Sequence, residues 1–448
     1  MLLTVLVAIS TIFTVLLLLL PSPGRAADQQ CSVQVVVLGD LGRSPRMQYH
    51  ALSIATHGGR VQLVGYRETD PLPELVAHPA VTVVPLTPAP RWLQTGNKLL
   101  FLLFGPLKVL LQTWTLWNTL SYATAPSKWM LVQNPPSIPT LLVVTAVCFF
   151  RRTRLIVDWH NFGYSILALK LGADHPLVAI SKLYEIGLAK AATANFSVTD
   201  AMARVLKSDY KITAPILTLH DRPADLYQPL TAPKRIAFLQ RYPLIREHFN
   251  AIVEAKARLI VSSTSWTADE DFGLLLDALC AYSASATSSH PHLPELVVVI
   301  TGKGPQQQRY LDKIRELRSA QVLEMVSIYT DWLSFEDYAL LLGSADLGVS
   351  LHTSSSGVDL PMKVVDMFGA GLPVAGWSSF AAWSELVTEN VNGKGFGSSE
   401  ELADILQDLF DPKSQQLTTL KDGAVRESQR RWGSEWNPVA GKLFGLAT

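Results

Sequence analysis

The sequence predicts an α/β protein of two Rossmann-like domains facing a cleft, behind an N-terminal transmembrane helix. Three features carry this expectation. From Val33 onward, apolar runs of strand length alternate with helical stretches, the pattern of parallel sheets with helices on both faces. The alternation breaks between His220 and about Ala255, where the chain is mostly polar, carries four prolines and loses its period. Leu2 to Leu20 is an unbroken apolar run with only Ser and Thr interposed, roughly the length of a bilayer span. The expected organisation is an anchor at 1–22, an N-terminal Rossmann-like domain at 31–220, a linker at 221–257 and a C-terminal Rossmann-like domain at 258–430. A final segment, 431–448, has the option of crossing back to the first domain.

In chain order, the anchor comes first. No Lys or Arg precedes the apolar run, whereas Arg25, Arg43 and Arg46 follow it, so the positive-inside rule places the N-terminus outside and the body in the cytosol. A cleaved signal peptide is the rival reading, with Gly24-Arg25-Ala26 as a small-residue cleavage site. The missing basic n-region and the length of the run stand against it. Strands are expected at Val33–Leu38, Val61–Gly65, Val81–Pro85, Trp129–Gln133, Leu155–Trp159 and Asn195–Val198. Helices are expected at about Arg46–His57, Lys98–Tyr122, Ser137–Phe150, Pro176–Ala191 and Asp200–Leu206. Lys98–Tyr122 is apolar and aromatic almost all round but holds Lys108 and Pro106, which argues against a second span. It reads either as an interfacial helix that dips into lipid headgroups or as a buried core helix. Ile138–Phe150 is too short to span and reads as core, although Arg151, Arg152 and Arg154 behind it suit anionic headgroups.

In the second half, strands are expected at Leu259–Ser263, Leu296–Thr301, Val326–Tyr329, Leu347–Leu351 and Pro373–Ala375. The intervening helices are Phe272–Ala281, Gln306–Leu317, Phe335–Leu342 and Met362–Ala370. Composition bounds the function. The 448 residues, 48% of them hydrophobic, are enough for two cores. The 38 basic and 38 acidic residues balance, which excludes the electrostatic footprint of a nucleic-acid binder. A charged fraction of 17% is low and favours membrane association. Cys31, Cys148 and Cys280 are too far apart for a disulfide framework or a metal site, which suits a reducing compartment. The sequon at Asn195 opens an apolar strand and reads as coincidence.

The richest stretch is Ser355 to Val374, S-S-G-V-D-L-P-M-K-V-V-D-M-F-G-A-G-L-P-V. A Ser/Gly loop leads through Asp359 to Pro361, which starts a helix whose free N–H groups and positive dipole end suit a diphosphate. His352, Ser355 and Gly357 form the hydroxyl-rich wrap, Met362 and Lys363 open the helix, and Asp359 is placed for sugar hydroxyls. Asp366, seven residues on, is placed for the two hydroxyls of a ribose. Ser263 and Thr264 leave the first strand of the second domain, and Gly302 and Lys303 leave the next. These positions bring backbone and charge to a nucleotide. Asp269-Glu270-Asp271 more simply caps a helix than binds a metal, and no metal or cofactor is expected.

In the first domain, Gly39-Asp40-Leu41-Gly42-Arg43-Ser44-Pro45-Arg46 lacks the third glycine of a dinucleotide fingerprint. Its arginines Arg43 and Arg46, beside a helix start, suit the diphosphate of an acceptor, with Gly39, Gly42 and Asn161 lining the approach. Asp158 and His160 fall on one side of a strand end, where a base that takes an acceptor hydroxyl proton belongs, or a His–Asp pair that only orients a loop.

The Ser355–Val374 run resembles the donor signature of two-domain GT-B glycosyltransferases, with two aspartates seven apart where two glutamates eight apart are usual. Together with Val35–Arg46, the Asp158 loop, S-S-T-S-W-T with its following acids and T-G-K-G-P, the chain closely resembles the chitobiosyldiphosphodolichol beta-mannosyltransferase family, glycosyltransferase family 33, nearly end to end. That resemblance implies a GT-B fold, GDP-mannose as donor and dolichol-diphosphate-linked GlcNAc2 as acceptor. It also implies inversion to a beta-1,4 bond in lipid-linked oligosaccharide synthesis for N-glycosylation. The implied setting is a single-pass protein of the endoplasmic reticulum membrane, its catalytic body on the cytosolic face, beside other dolichol-pathway mannosyltransferases. Two alternatives stay open at this point: another lipid-acceptor transferase with a different sugar nucleotide, and a non-catalytic homologue that scaffolds other transferases. The Arg/Lys pair that many two-domain relatives keep after the first strand of the second domain is replaced here by Ser and Thr, which leaves the compensating cation open.

Overall fold

The computed structural model describes residues 30–90, 98–267 and 270–446, together with Pro21 and Leu93. The expected anchor at Leu2–Leu20 lies outside the described residues. Among those described, no helix is long and apolar enough to cross a membrane.

The described strands form two parallel sheets. The first holds β1 (Ser32–Asp40), β2 (Arg60–Tyr66), β3 (Val81–Pro85), β4 (Trp129–Asn134), β5 (Arg154–Trp159), β6 (Ala194–Ser197) and β7 (Ile216–Thr218), in the order β3-β2-β1-β4-β5-β6-β7. The second holds β8 (Ala257–Ser263), β9 (Glu295–Thr301), β10 (Val326–Asp331), β11 (Leu347–Ser350), β12 (Val374–Trp377) and β13 (Gly393–Phe396), in the order β10-β9-β8-β11-β12-β13. Central strands show no polar alternation because helices cover both faces. Val33, Val35, Val36 and Val37 of β1 are all fully buried, as are Val297, Val298 and Val299 of β9. In each sheet the first strand lies beside the fourth, so the winding direction reverses there. The carboxyl ends of β1/β4 and of β8/β11 are the switch points at which such sheets bind ligands.

Helices of eight residues or more are numbered α1 (Pro45–Thr56), α2 (Lys98–Asn118), α3 (Thr140–Arg151), α4 (Gly163–Leu171), α5 (Pro176–Ala189), α6 (Asp200–Ser208), α7 (Ala232–Arg241), α8 (Phe272–Ser288), α9 (Gln307–Ser319), α10 (Phe335–Ser344), α11 (Met362–Gly369), α12 (Ser399–Phe410) and α13 (Gln416–Glu427). The chain divides into two compact units. One contains the described residues up to Val198, Met202–Leu219 and the stretch from Trp436 onward; the other contains Thr199–Ala201 and His220–Glu435.

The stretch expected as a 221–257 linker is structured and belongs to the second unit. Pro233 sits in the first turn of α7, where its missing N–H costs nothing, and Phe238 and Leu239 are buried. Arg235 of α7 donates to the Ser344 carbonyl at 2.8 Å, and the Tyr242 hydroxyl donates to Asp331 at 2.8 Å. Four prolines break the period, but the pieces between them still bury apolar side chains. The closing segment enters the first unit through a buried indole: Trp436 Nε1 donates to His50 Nδ1 at 3.0 Å, and the Phe444 ring meets Trp129 edge-on. The expected helices match α1, α2, α3, α5 and α6 and α8 to α11 within a few residues. α8 runs about two turns further than expected, while α4, α12, α13, β7 and β13 were not expected.

Candidate active site

In the second unit, three loops leave the carboxyl ends of β8, β9 and β11. The loop after β8 is held from within. Thr264 Oγ1 donates to Glu270 at 2.6 Å and accepts from the Trp266 N–H at 2.7 Å, and Ser265 N–H donates to the same carboxylate at 2.7 Å. Ser263 Oγ pairs with the Tyr338 hydroxyl at 2.7 Å. Both hydroxyls expected to face the donor are therefore committed to shaping the loop.

Gly302 follows β9 with φ +133°, and a Cβ there would lie 1.8 Å from the Thr264 carbonyl oxygen, so the two loops touch backbone to backbone. Lys303 is exposed, its ammonium 5.0 Å from the centre of the Trp332 ring. Lys363, expected to add charge near the diphosphate, forms an ion pair with Glu270, which is 2% exposed. Of the acids read as a helix cap, Asp271 does cap α8, accepting from Gly273 N–H at 2.9 Å, while Glu270 turns back under the β8 loop. Asp269 lies outside the described residues.

The 352–361 loop after β11 differs from the other two. The Ser354 and Ser356 hydroxyls and His352 Nε2 are sealed from solvent and make no hydrogen bond with any described residue. His352 Nε2 lies 3.5 Å from Asp359 Oδ2, at the length of an ion pair. Buried polar atoms left this way cost about 1–3 kcal/mol each unless a ligand completes them. The whole run from His352 to Gly357 was expected from sequence as a hydroxyl-rich wrap with Ser355 singled out in it; the two orphaned hydroxyls flank Ser355. Gly357 sits at φ +73° in the bend, and Asp359 is buried just before Pro361 and α11. Met362 opens α11 at the surface of its first turn. Gly371, at φ +70°, turns the chain after α11 into β12. Asp366, half-buried on α11, has its carboxyl pushed up to about 8, first by burial and then by the Asp221 charge, with a Tyr227 hydrogen bond pulling the other way.

Asp200, His220 and Glu385 bring ligand atoms within 4.8 Å of one another. The Glu385 carboxylate already accepts from the Asp200 and Ala201 N–H groups at 2.6 and 2.7 Å and pairs with His220 at 3.2 Å, which is how a capping acid behaves.

In the first unit, Asp158 ends β5 with no solvent exposure. Arg46 grips it with two parallel bonds of 2.9 Å and gives its third nitrogen to the Leu219 carbonyl. Arg46 is 3% exposed. The expectation that it meets an acceptor diphosphate is therefore corrected: a fork-shaped donor in the first turn of α1 completes a buried carboxylate instead. His160 Nε2 lies 3.0 Å from Asp158 Oδ2 and keeps 24% of its surface, and buried His50 lies 3.4 Å from the same oxygen. Burial alone would raise the Asp158 carboxyl, but the Arg46 charge and then His160 hold it well below the usual range. A carboxylate so firmly ionised is a poor base; what it does here is hold the partly exposed imidazole of His160.

Asp40 folds inward, accepting from the Glu68 and Thr69 N–H groups and the Thr69 hydroxyl, which anchors the Gly39–Gly42 turn. A Cβ at Gly42 would sit 2.3 Å from Thr69 Oγ1. Arg43 is 77% exposed, its Nε 3.6 Å from Asp40 Oδ2 of the same turn. Asn161 Oδ1 accepts from Phe162 N–H at 2.7 Å and from Ser165 Oγ at 3.2 Å, so it shapes the start of α4. Beneath it, fully buried Glu185, which sequence reasoning did not single out, accepts from Ser137 Oγ at 2.9 Å and Gly163 N–H at 3.0 Å and is raised by burial.

The second unit thus carries orphaned hydroxyls and a buried carboxylate on the loop after β11, and the first unit separately holds a His–Asp pair. Comparison with known proteins carries this further. Over 424 residues the chain is 50% identical to the chitobiosyldiphosphodolichol beta-mannosyltransferase of Arthroderma benhamiae, covering 94% of this chain and 93% of that one. It belongs to the chitobiosyldiphosphodolichol beta-mannosyltransferase family.

The human member is 40% identical over 450 residues, with 92% of each chain covered. An Arabidopsis thaliana relative named UDP-glycosyltransferase TURAN is 41% identical over 456 residues, covering 92% of this chain and 96% of that one. No family model matches the chain. Among solved structures, WaaG, a glycosyltransferase involved in lipopolysaccharide biosynthesis, superposes with a TM-score of 0.62 at 14% identity over 93% of this chain and 99% of that one. Anabaena Alr3699/HepE in complex with UDP and glucose gives 0.60 at 16% identity over the same shares. The fold of this family member is thus GT-B, and the protein is a glycosyltransferase.

Proposed function

We propose that the chain transfers mannose from GDP-mannose to dolichol-diphosphate-linked GlcNAc2, forming a beta-1,4 bond with inversion, at the cytosolic face of the endoplasmic reticulum membrane. The observation that carries this is the 50% identity, over nearly the whole of both chains, to a protein named for that transfer. The site chemistry supports it. The orphaned hydroxyls of Ser354 and Ser356, His352 and the amino end of α11 receive the donor diphosphate, Asp359 holds sugar hydroxyls and Asp366 holds the ribose. Lys363 is neutralised by Glu270, so the helix end and the loop supply the complement to the diphosphate charge. His160, oriented by Asp158, accepts the proton from the acceptor hydroxyl as its oxygen attacks the anomeric carbon. The bond from that carbon to the phosphate oxygen breaks, and GDP leaves with the electron pair. Arg43, exposed beside the Gly39–Gly42 turn, meets the acceptor diphosphate.

The relative named as a UDP-glycosyltransferase supports one second reading, in which the donor nucleotide is UDP. Membranes carrying the chain, given the chitobiose lipid and either labelled GDP-mannose or a labelled UDP-sugar, separate the two. Transfer from GDP-mannose that survives a metal chelator and disappears in His160→Ala is the expected result. Transfer from the UDP-sugar alone would overturn the donor assignment, and full activity of His160→Ala would overturn the base.

A further inference from the structure

We infer that the outer surface of α2, α3, α5 and α4 is a bilayer-docking face, bedded among anionic lipid headgroups rather than threaded through the membrane. The four helices pack in a row within the first unit, α2 on α3, α3 on α5 and α5 on α4. Leu110 and Trp114 on α2, Phe149 on α3, Leu169 on α4 and Ile180 and Leu183 on α5 are each between 59% and 75% exposed. Leu110 and Trp114 are four residues apart, and Ile180 and Leu183 three apart, so each pair shares one helix face. Six large apolar side chains exposed on four helices that pack in a row are not the singly scattered hydrophobics of an ordinary soluble surface. In the second unit Trp332 and Phe335, 62% and 75% exposed and three residues apart, make a smaller cluster, while the other exposed apolar residues, such as Val322 and Val391, are scattered along the chain.

Charge selects the occupant. α2, α3 and α4 contain no acidic residue, and the single acid of α5, Glu185, is fully buried beneath the face. Lys170, Lys182 and Lys190 are exposed on or next to α4 and α5, Arg152 follows α3, and the exposed Asp174 sits in the turn between α4 and α5. A second copy of the chain would set these cations against one another, whereas an anionic leaflet complements them. Trp114 and Tyr122, at the end of α2 and just beyond it, belong to the side-chain type that settles at headgroup depth. With 12, 9 and 14 residues, α3, α4 and α5 are too short to span, so the face lies on the leaflet. α4 begins at Gly163, three residues past His160, so the face is joined directly to the loop that carries the base. The inference rests on the proposed lipid-linked acceptor only for its purpose.

The test uses the full chain reconstituted in vesicles of phosphatidylcholine and phosphatidylserine, on a Cys280→Ser background because Cys31 and Cys148 are buried. An environment-sensitive fluorophore is attached at Leu110→Cys, Leu183→Cys or, as a control in the second unit, Ser319→Cys. Brominated acyl chains are expected to quench the first two probes several-fold more than the third. Joint Leu110→Glu and Leu183→Glu substitution is expected to raise KM for the bilayer-borne acceptor about tenfold. Its turnover on a short-chain, water-soluble acceptor is expected to match the parent. Equal quenching at all three sites overturns the inference. So does shielding of the two probes in lipid-free detergent that grows with protein concentration, which assigns the face to a second copy. Absence of mannose transfer by the parent on either acceptor would refute the proposed reaction while leaving the quenching result to stand by itself.

Discussion

His160 pairs with a carboxylate that is itself fixed by Arg46, and His160, Arg46 and the exposed Arg43 each have their own expected signature in kinetics. His160→Ala is expected to lower kcat by about 10²–10⁴ with donor KM unchanged, measured by initial rates on membranes. Arg46→Lys keeps the buried charge but loses the parallel fork, so kcat should fall while acceptor KM holds. Arg43→Ala should do the reverse, since its guanidinium is exposed. A rise in acceptor KM for Arg46→Lys without change in kcat would return Arg46 to the diphosphate. Asp366 has a folded-state value of about 8 against an ordinary 3.8. Its folded form favours the proton, so its contribution is fully present below about pH 4 and is lost as pH rises toward about 8. Asp366→Asn removes that loss. Its melting temperature should fall less than the parent's between about pH 5 and pH 9, followed by calorimetry; parallel curves would show that the carboxyl titrates normally.

At the scale of elements, the proposed donor site depends on two loops in backbone contact. Gly302→Ala would press a methyl group to 1.8 Å from the Thr264 carbonyl at a φ that side chains avoid, and should cost about 2–4 kcal/mol together with nucleotide affinity. Gly433→Ala, with open space around it, is the control and should leave the melting temperature within a degree or so of the parent's. Equal effects of the two would show that the loops do not need this approach.

These elements also separate what was readable in the sequence from what was not. β1, β4, β5, β8 and β9 are buried on both faces and stand out as apolar runs; β7 and β13, three and four residues long at sheet edges, offer no run to read. The Ser355 loop, Asp359 and α11 were legible because loop, proline and acid are contiguous. The ion pairs of Arg46 with Asp158, 112 residues apart, and of Lys363 with Glu270, 93 apart, were not, because only the sheet topology brings them together. Two side chains expected to face ligands are consumed by those pairs. The orphaned Ser354 and Ser356 hydroxyls had no sequence signal distinct from that of Ser355 between them.

For the whole molecule, the two units are unequal in how their chain segments are gathered. The second is almost continuous, His220–Glu435, whereas the first needs residues from both ends of the sequence. Removing everything after Glu435 takes the Trp436 indole from His50 and the Phe444 ring from Trp129, leaving a hollow beside β4 and β6. Hydrogen exchange on such a truncation should show protection lost in β1, β4 and β6 and kept in β8, β9 and β11. Uniform protection would show the closing segment to be dispensable. The same arrangement sets an order of events at the ribosome. The first unit has to wait for the stretch beyond Glu435 before its hydrophobic centre can close, so the second can mature ahead of it. A ribosome stalled between the two would leave the loops after β8, β9 and β11 formed and the strands beneath His160 without their last apolar support.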